Sequence, residues 1–106
     1  ERYKLLYFKD DQVSIGIGLV RRTFKLSDIR EVRFSKGKKF RSIGSWAGRM
    51  QICKLNGKTS RWIEFDGTVY YKKMQYITNE EIIDKSIDFL MNEFQARGIR
   101  CTKYRC

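Results

Sequence analysis

The chain has 106 residues, with 23 Lys or Arg against 12 Asp or Glu, no His, no Pro and a formal net charge of +11. That length holds one domain with a modest core, and 42% hydrophobic residues, including seven Phe, six Tyr and two Trp, exclude a disordered basic tail. Without histidine the commonest general base is missing, as is the usual partner of a nucleophilic Ser or Cys, so the chain is read as a non-enzyme with no catalytic group.

In chain order, Tyr3 to Phe8 is an aromatic and leucine-rich run that stops at the polar turn Lys9-Asp10-Asp11-Gln12. Val13, Ile15, Ile17 and Leu19 then alternate with Ser14, Gly16 and Gly18, the period-2 pattern of a strand with one buried face, so the pair reads as a hairpin. Thr23 to Leu26 predicts a short strand, Ser27-Asp28 a turn, and Val32 with Phe34 an inward face opposite Glu31 and Arg33. The basic, glycine-punctuated stretch Ser35 to Gly48 has no clean period and reads as a loop. Met50 to Leu55 and Ser60 to Phe65 flank Asn56-Gly57, a hairpin dipeptide whose two central positions are expected at positive φ. After Asp66-Gly67, Val69 to Ile77 is a seventh strand candidate.

The pattern then switches to helix. Thr78 and Glu81 form a capping box, and Ile77 against Ile82 supplies a hydrophobic staple. Ile83, Ile87, Leu90, Met91 and Phe94 make one apolar stripe, and Gly98 ends the helix. Residues 1–98 are read as one domain and 99–106 as a short tail. Trp62, Ile63, Phe65, Val13, Ile15 and Phe94 are assigned to the core. The carboxylate pairs Asp10/Asp11 and Glu80/Glu81 fall in a turn and at a helix N-terminus, where structure alone accounts for them.

No run of about 18 apolar residues is present to span a bilayer, and no signal-peptide pattern opens the chain. A start at Glu1 rather than Met suggests a piece of a longer protein. Cys53, Cys101 and Cys106 are odd in number and form no CxxC pair, which points to a reducing compartment and, with no His, to no metal site. No cofactor is expected.

The charge is concentrated. Between Arg21 and Arg61 stand thirteen Lys or Arg and two acids, so that stretch carries +11 and the rest of the chain cancels. Such a field favours phosphate, anionic headgroups or an acidic protein surface. The candidate contact residues are Lys36, Lys38, Lys39, Arg41 and Arg49, helped by Arg21, Arg22 and Lys25. Glycine in the loop permits close approach, lysines supply point charges, and Arg41 or Arg49 offers a bidentate fork. Phe40 is the candidate for insertion into a lipid interface or for stacking on a base. A solvated loop whose lysines guard a sheet edge is the plainer alternative.

Asp11-Gln12-Val13-Ser14-Ile15, followed by Arg22-Thr23-Phe24-Lys25-Leu26-Ser27-Asp28-Ile29-Arg30-Glu31-Val32, resembles the pattern of bacterial pleckstrin-homology-like domains, and Asn79-Glu80-Glu81-Ile82-Ile83 is similar to that family's helix start. The resemblance implies a mostly β fold: a barrel of two near-orthogonal antiparallel sheets, about seven strands, capped by one C-terminal α-helix and used for binding rather than chemistry. The Ser35 to Gly48 stretch is longer and more basic than that pattern. The functional expectation is an interaction module that binds anionic membrane headgroups or an acidic protein partner through the basic loop. It is placed in the cytoplasm, including the cytoplasmic face of a membrane as part of a longer protein. Two alternatives stand beside it. One is a single-stranded nucleic-acid binder, drawn from basic charge interleaved with Phe34, Phe40, Trp46 and Trp62 but opposed by an acidic helix. The other is a protein–protein domain with an incidental basic face.

Overall fold

Alternation of apolar and polar side chains builds the first sheet. In the computed structural model, which describes residues 6–17, 20–38, 46–65 and 80–104, strands β1 (Leu6–Lys9), β2 (Gln12–Ile17) and β3 (Val20–Lys25) form an antiparallel meander. Its register sets Leu6 beside Ile15, and Phe8 and Phe24 on either side of Val13, so one face is apolar and buried. Tyr7, Ser14 and Thr23 share the other face, where the Ser14 and Thr23 hydroxyls lie 3.0 Å apart. The tight β1–β2 turn places Asp10 at φ 53, a left-handed position that Asp tolerates better than most residues.

A single 3-10 turn at Leu26–Asp28 leads into the second sheet. Strand β4 (Ile29–Lys38) pairs antiparallel with β5 (Trp46–Lys54) from Ile29 opposite Lys54 to Lys38 opposite Trp46. Both ends of the predicted 35–48 loop are therefore strand, and residues 39–45 lie outside the described residues. The strand persists because Val32, Phe34 and Lys36 keep one parity. Lys36 continues the inward row, and the helix meets it there with acids.

The turn after β5 is a hairpin as expected, but its backbone differs. Gly57 alone takes a positive φ, +88, while Asn56 does not. Gly57 N–H donates to the Lys54 carbonyl at 3.0 Å and Lys54 N–H to the Lys58 carbonyl at 2.8 Å. That is a type I turn closed by a left-handed glycine, the three-residue hairpin in place of the two-residue one. Asn56 uses its side chain instead, accepting the Lys58 N–H at 2.9 Å. Strand β6 (Ile63–Phe65) then pairs with β5.

Helix α1 (Glu80–Gln95) buries Ile83, Ile87, Leu90 and Phe94 completely. Gly98, at φ +81, ends it as the sequence implies: Gly98 N–H donates to the Gln95 carbonyl and Ile99 N–H to the Phe94 carbonyl, with Ile99 packed into the core beside Phe94. The expected capping box at Thr78, the staple at Ile77 and the strand at Val69 to Ile77 lie outside the described residues. The residues read as a tail contain a strand, β7 (Arg100–Lys103), which pairs parallel with β4 and gives the order β6-β5-β4-β7. Buried Ile99 anchors its start, and the Tyr104 N–H donated to the Phe34 carbonyl at 2.7 Å extends its pairing. The helix is thus not the last element.

Both inner faces and the helix stripe form one core, with Phe34 ringed by Phe65 and Phe94 at 6.4 Å and Phe8 edge-on to Phe94 at 5.3 Å. The molecule is mostly β; its described residues form a three-stranded and a four-stranded sheet and one α-helix near the C-terminus, and the described strands do not close into a barrel. Val13, Ile15, Ile63, Phe65 and Phe94 are core residues as expected. Trp62 is not: it is 43% exposed, because Ile63 and Phe65 take the inward parity of β6 and leave Trp62 on the side of Glu64. No helix among the described residues is long and apolar enough to cross a membrane.

Candidate anion-binding surface

Lys36 is the loop cation whose surroundings are most completely defined, and it faces inward. Its ammonium donates to Glu80 Oε1 at 2.7 Å, to Asp84 Oδ1 at 2.8 Å and to Asp84 Oδ2 at 3.1 Å, and lies 5.9 Å from the Trp46 ring. The hydrogen bonds that Lys36 donates to Asp84 and Glu80 raise its pKa above the usual value. Burial pushes the Asp84 carboxyl up, but the Lys36 hydrogen bond and the Lys103 ammonium at 3.5 Å outweigh it and hold the pKa below the usual range. This cation pins the start of α1 to β4.

The other candidates are spread over several places. Arg49 lies on the opposite face of the second sheet, because it pairs with Ser35 rather than with Lys36, and it stands 4.0 Å from Glu64. Its guanidinium also lies across Gly37, just as Arg21 on the first sheet lies across Gly16. Lys25 sits beside the β1–β2 turn in a shallow depression shared with Asp10 and Asp11, whose charge offsets its own. Lys38 ends β4, but its side chain, and all of Lys39, Phe40 and Arg41, lie outside the described residues. The described candidates therefore do not converge on one patch.

Arg22 is the exception. It has the parity of Phe24 on the inner side of β3, but at the edge of the core, where it is exposed. It faces a cleft between the two sheets that Lys54, Lys58 and Thr59 also line. The sequence reading did not single out those three. The available signal was the Asn56-Gly57 turn itself, which makes Lys54 and Lys58 cross-strand neighbours.

The aromatic residues divide in the same way. Phe34 is wholly buried and Trp46 half-buried under Lys36, so neither presents a free ring face to a base; Trp62 is exposed. On the outer side of the second sheet, Glu31 accepts from Arg33 at 3.1 Å and from Thr102 at 3.0 Å. Burial pushes the Glu31 carboxyl up, and those hydrogen bonds more than reverse the shift. Cys53 is buried, and burial lifts the Cys101 thiol to about 11, which leaves both poor nucleophiles at neutral pH. Among the described residues no group of three or more Cys, Asp or Glu side chains is placed to hold a metal ion. Compared with protein-family models, curated proteins and solved structures, the chain matches none of them.

Proposed function

We propose that this chain is a non-catalytic, pleckstrin-homology-like interaction module that meets anionic membrane headgroups through basic side chains on β3 and at the end of the β4–β5 hairpin. One observation carries the reading: the acids of α1 are largely taken up by cations beside them, while several basic side chains on and near the sheets are exposed with no acid among the described residues in contact. Glu80, Glu81, Asp84, Asp88 and Glu93 all lie on α1, where Glu80, Glu81, Asp84 and Glu93 pair with Lys36, Lys85, Arg97 and Lys103. Arg21, Arg22, Lys25, Lys58 and Arg61 are exposed and, among the described residues, none is in ion-pair contact with a carboxylate. Lys38 ends the described part of β4 opposite Trp46, and the sequence alone adds Lys39 and Arg41 to the proposed contact set.

The three-stranded meander, the second sheet built on a hairpin and the helix on their shared core support the family assignment; a near-right-angle crossing of the sheets is part of the same proposal. Strand β7 departs from it. Each Lys or Arg near an anionic lipid surface contributes about 1 kcal/mol, so binding is additive and salt-sensitive. The chain should cosediment with phosphatidylglycerol-containing vesicles and not with pure phosphatidylcholine, and Lys38→Glu/Lys39→Glu should abolish this. Retention by the double variant would remove the hairpin end from the site. Failure of the parent chain to sediment with either vesicle would remove the membrane and leave an acidic protein as partner.

A further inference from the structure

The cleft between the sheets shares Arg22 and Lys58 with the basic set above but adds Lys54 and Thr59 and lies away from the end of the β4–β5 hairpin. It holds roughly 380 Å³ and is lined by Arg22, Phe24, Lys54, Lys58 and Thr59, together with Thr23 and Ser60. No acid is among these residues. Two of the hydroxyls are already engaged: Thr23 bonds Ser14 on the far face, and Ser60 Oγ accepts the Ile52 N–H and donates to the Arg61 carbonyl. The Thr59 hydroxyl carries no such bond among the described residues and is exposed. Phe24 forms the apolar floor, 8% exposed, and the Lys54 ammonium stands 5.4 Å from its ring. That contact limits how far Lys54 can swing away, so its charge is held at the cleft rather than spread through solvent.

We propose that this inter-sheet cleft binds a phosphate monoester, with Arg22, Lys54 and Lys58 supplying positive charge and Thr59 a neutral donor. The charge count favours that class. Three cations facing one opening repel one another, and a phosphate monoester at neutral pH carries about −1.5 to −2 with three strong acceptor oxygens, whereas a carboxylate would leave two cations unmatched. The planar Arg22 fork fits two oxygens of one phosphate, and the lysines act as point charges on the remainder. The opening is wide enough for the ester to continue outward, so both a lipid headgroup and a soluble metabolite present the same chemistry.

The site is distinct from the hairpin end and is tested separately. Inorganic phosphate titrated into the isotope-labelled chain should shift the amide resonances of residues 22–24 and 58–60. Lys54→Gln/Lys58→Gln should weaken the affinity by about tenfold or more, with the thermal midpoint lowered only slightly, by loss of the Lys54–Phe24 contact, because neither lysine makes an ion pair among the described residues. Lys38→Glu/Lys39→Glu should leave those shifts intact, so loss of vesicle binding in that variant and loss of the cleft remain separable. Saturation by glycerol 3-phosphate alone identifies a soluble source, and tighter engagement of the same residues by phosphatidic acid in phosphatidylcholine vesicles identifies a headgroup. Phosphate shifts that are absent, or that persist undiminished in Lys54→Gln/Lys58→Gln, overturn the proposal.

Discussion

Phe34 has no exposed surface and touches the rings of Phe65 and Phe94, whereas Trp62, just before β6, is 43% exposed. Truncating the first leaves a cavity in the core between the second sheet and the helix, so Phe34→Ala should cost about 3–5 kcal/mol. Trp62→Ala should cost about 1 kcal/mol or less, since much of its ring already faces water. Urea midpoints of the two variants check this, and equal losses would mean that Trp62 is covered in solution. Residue types did not distinguish the two rings; strand parity did. The same parity, counted on from Val32 and Phe34, would have placed Lys36 inward, but a lysine flanked by glycine and more lysine looked like surface because its acidic partners stand far along the chain at Glu80 and Asp84.

At the level of elements, the contact of α1 with β4 has an acid-sensitive fastening. Asp84 and Glu31 have folded-state pKa values below their ordinary ones. Groups depressed in this way stabilise the fold fully above the ordinary carboxylate range, about pH 4 to 4.5, and lose that contribution as pH falls through the lowered value. Asp84→Asn should therefore be less stable than the parent at neutral pH, and the gap should close on acidification, read from urea midpoints taken across that range. Because Asp84 is 37% exposed, solvent screening keeps the gap to about 1 kcal/mol or less. A gap that stays constant with pH would show that the pair contributes nothing through charge. The helix itself was legible, since four of its five stripe residues are fully buried and Gly98 stops it. Strand β7 was not, although Ile99, Cys101 and Lys103 alternate with Arg100 and Thr102. A segment this short and polar becomes a strand only because the open edge of β4 and the socket for Ile99 receive it, and neither is a local property of the chain.

For the whole molecule, the mostly β class and the terminal helical region followed from periodicity, while the distribution of charge did not. A net excess along the chain says how strongly the molecule attracts anions; the register says where, by turning Lys36 toward the acids of α1, Arg49 toward Glu64 and Arg22 toward Lys54 and Lys58. The register has a further consequence for β4, whose one neighbour is a hairpin partner and whose other neighbour is β7, with Glu31 set beside Arg100. Joining β4 to β5 closes a short loop, but joining it to β7 closes a long one for only four residue pairs, so the chain has little to gain from making that second seam early. The rate-limiting barrier should be crossed with the hairpin formed and the β7 seam still open. Stopped-flow measurements should then find that Ile52→Val slows refolding, whereas Ile99→Val and Thr102→Ala quicken unfolding and leave refolding unchanged. Slower refolding in the β7 variants would reverse the order. A seam made last is also the first to part, so the molecule's resistance to transient opening is set by its shortest-range residues least and by Ile99 most.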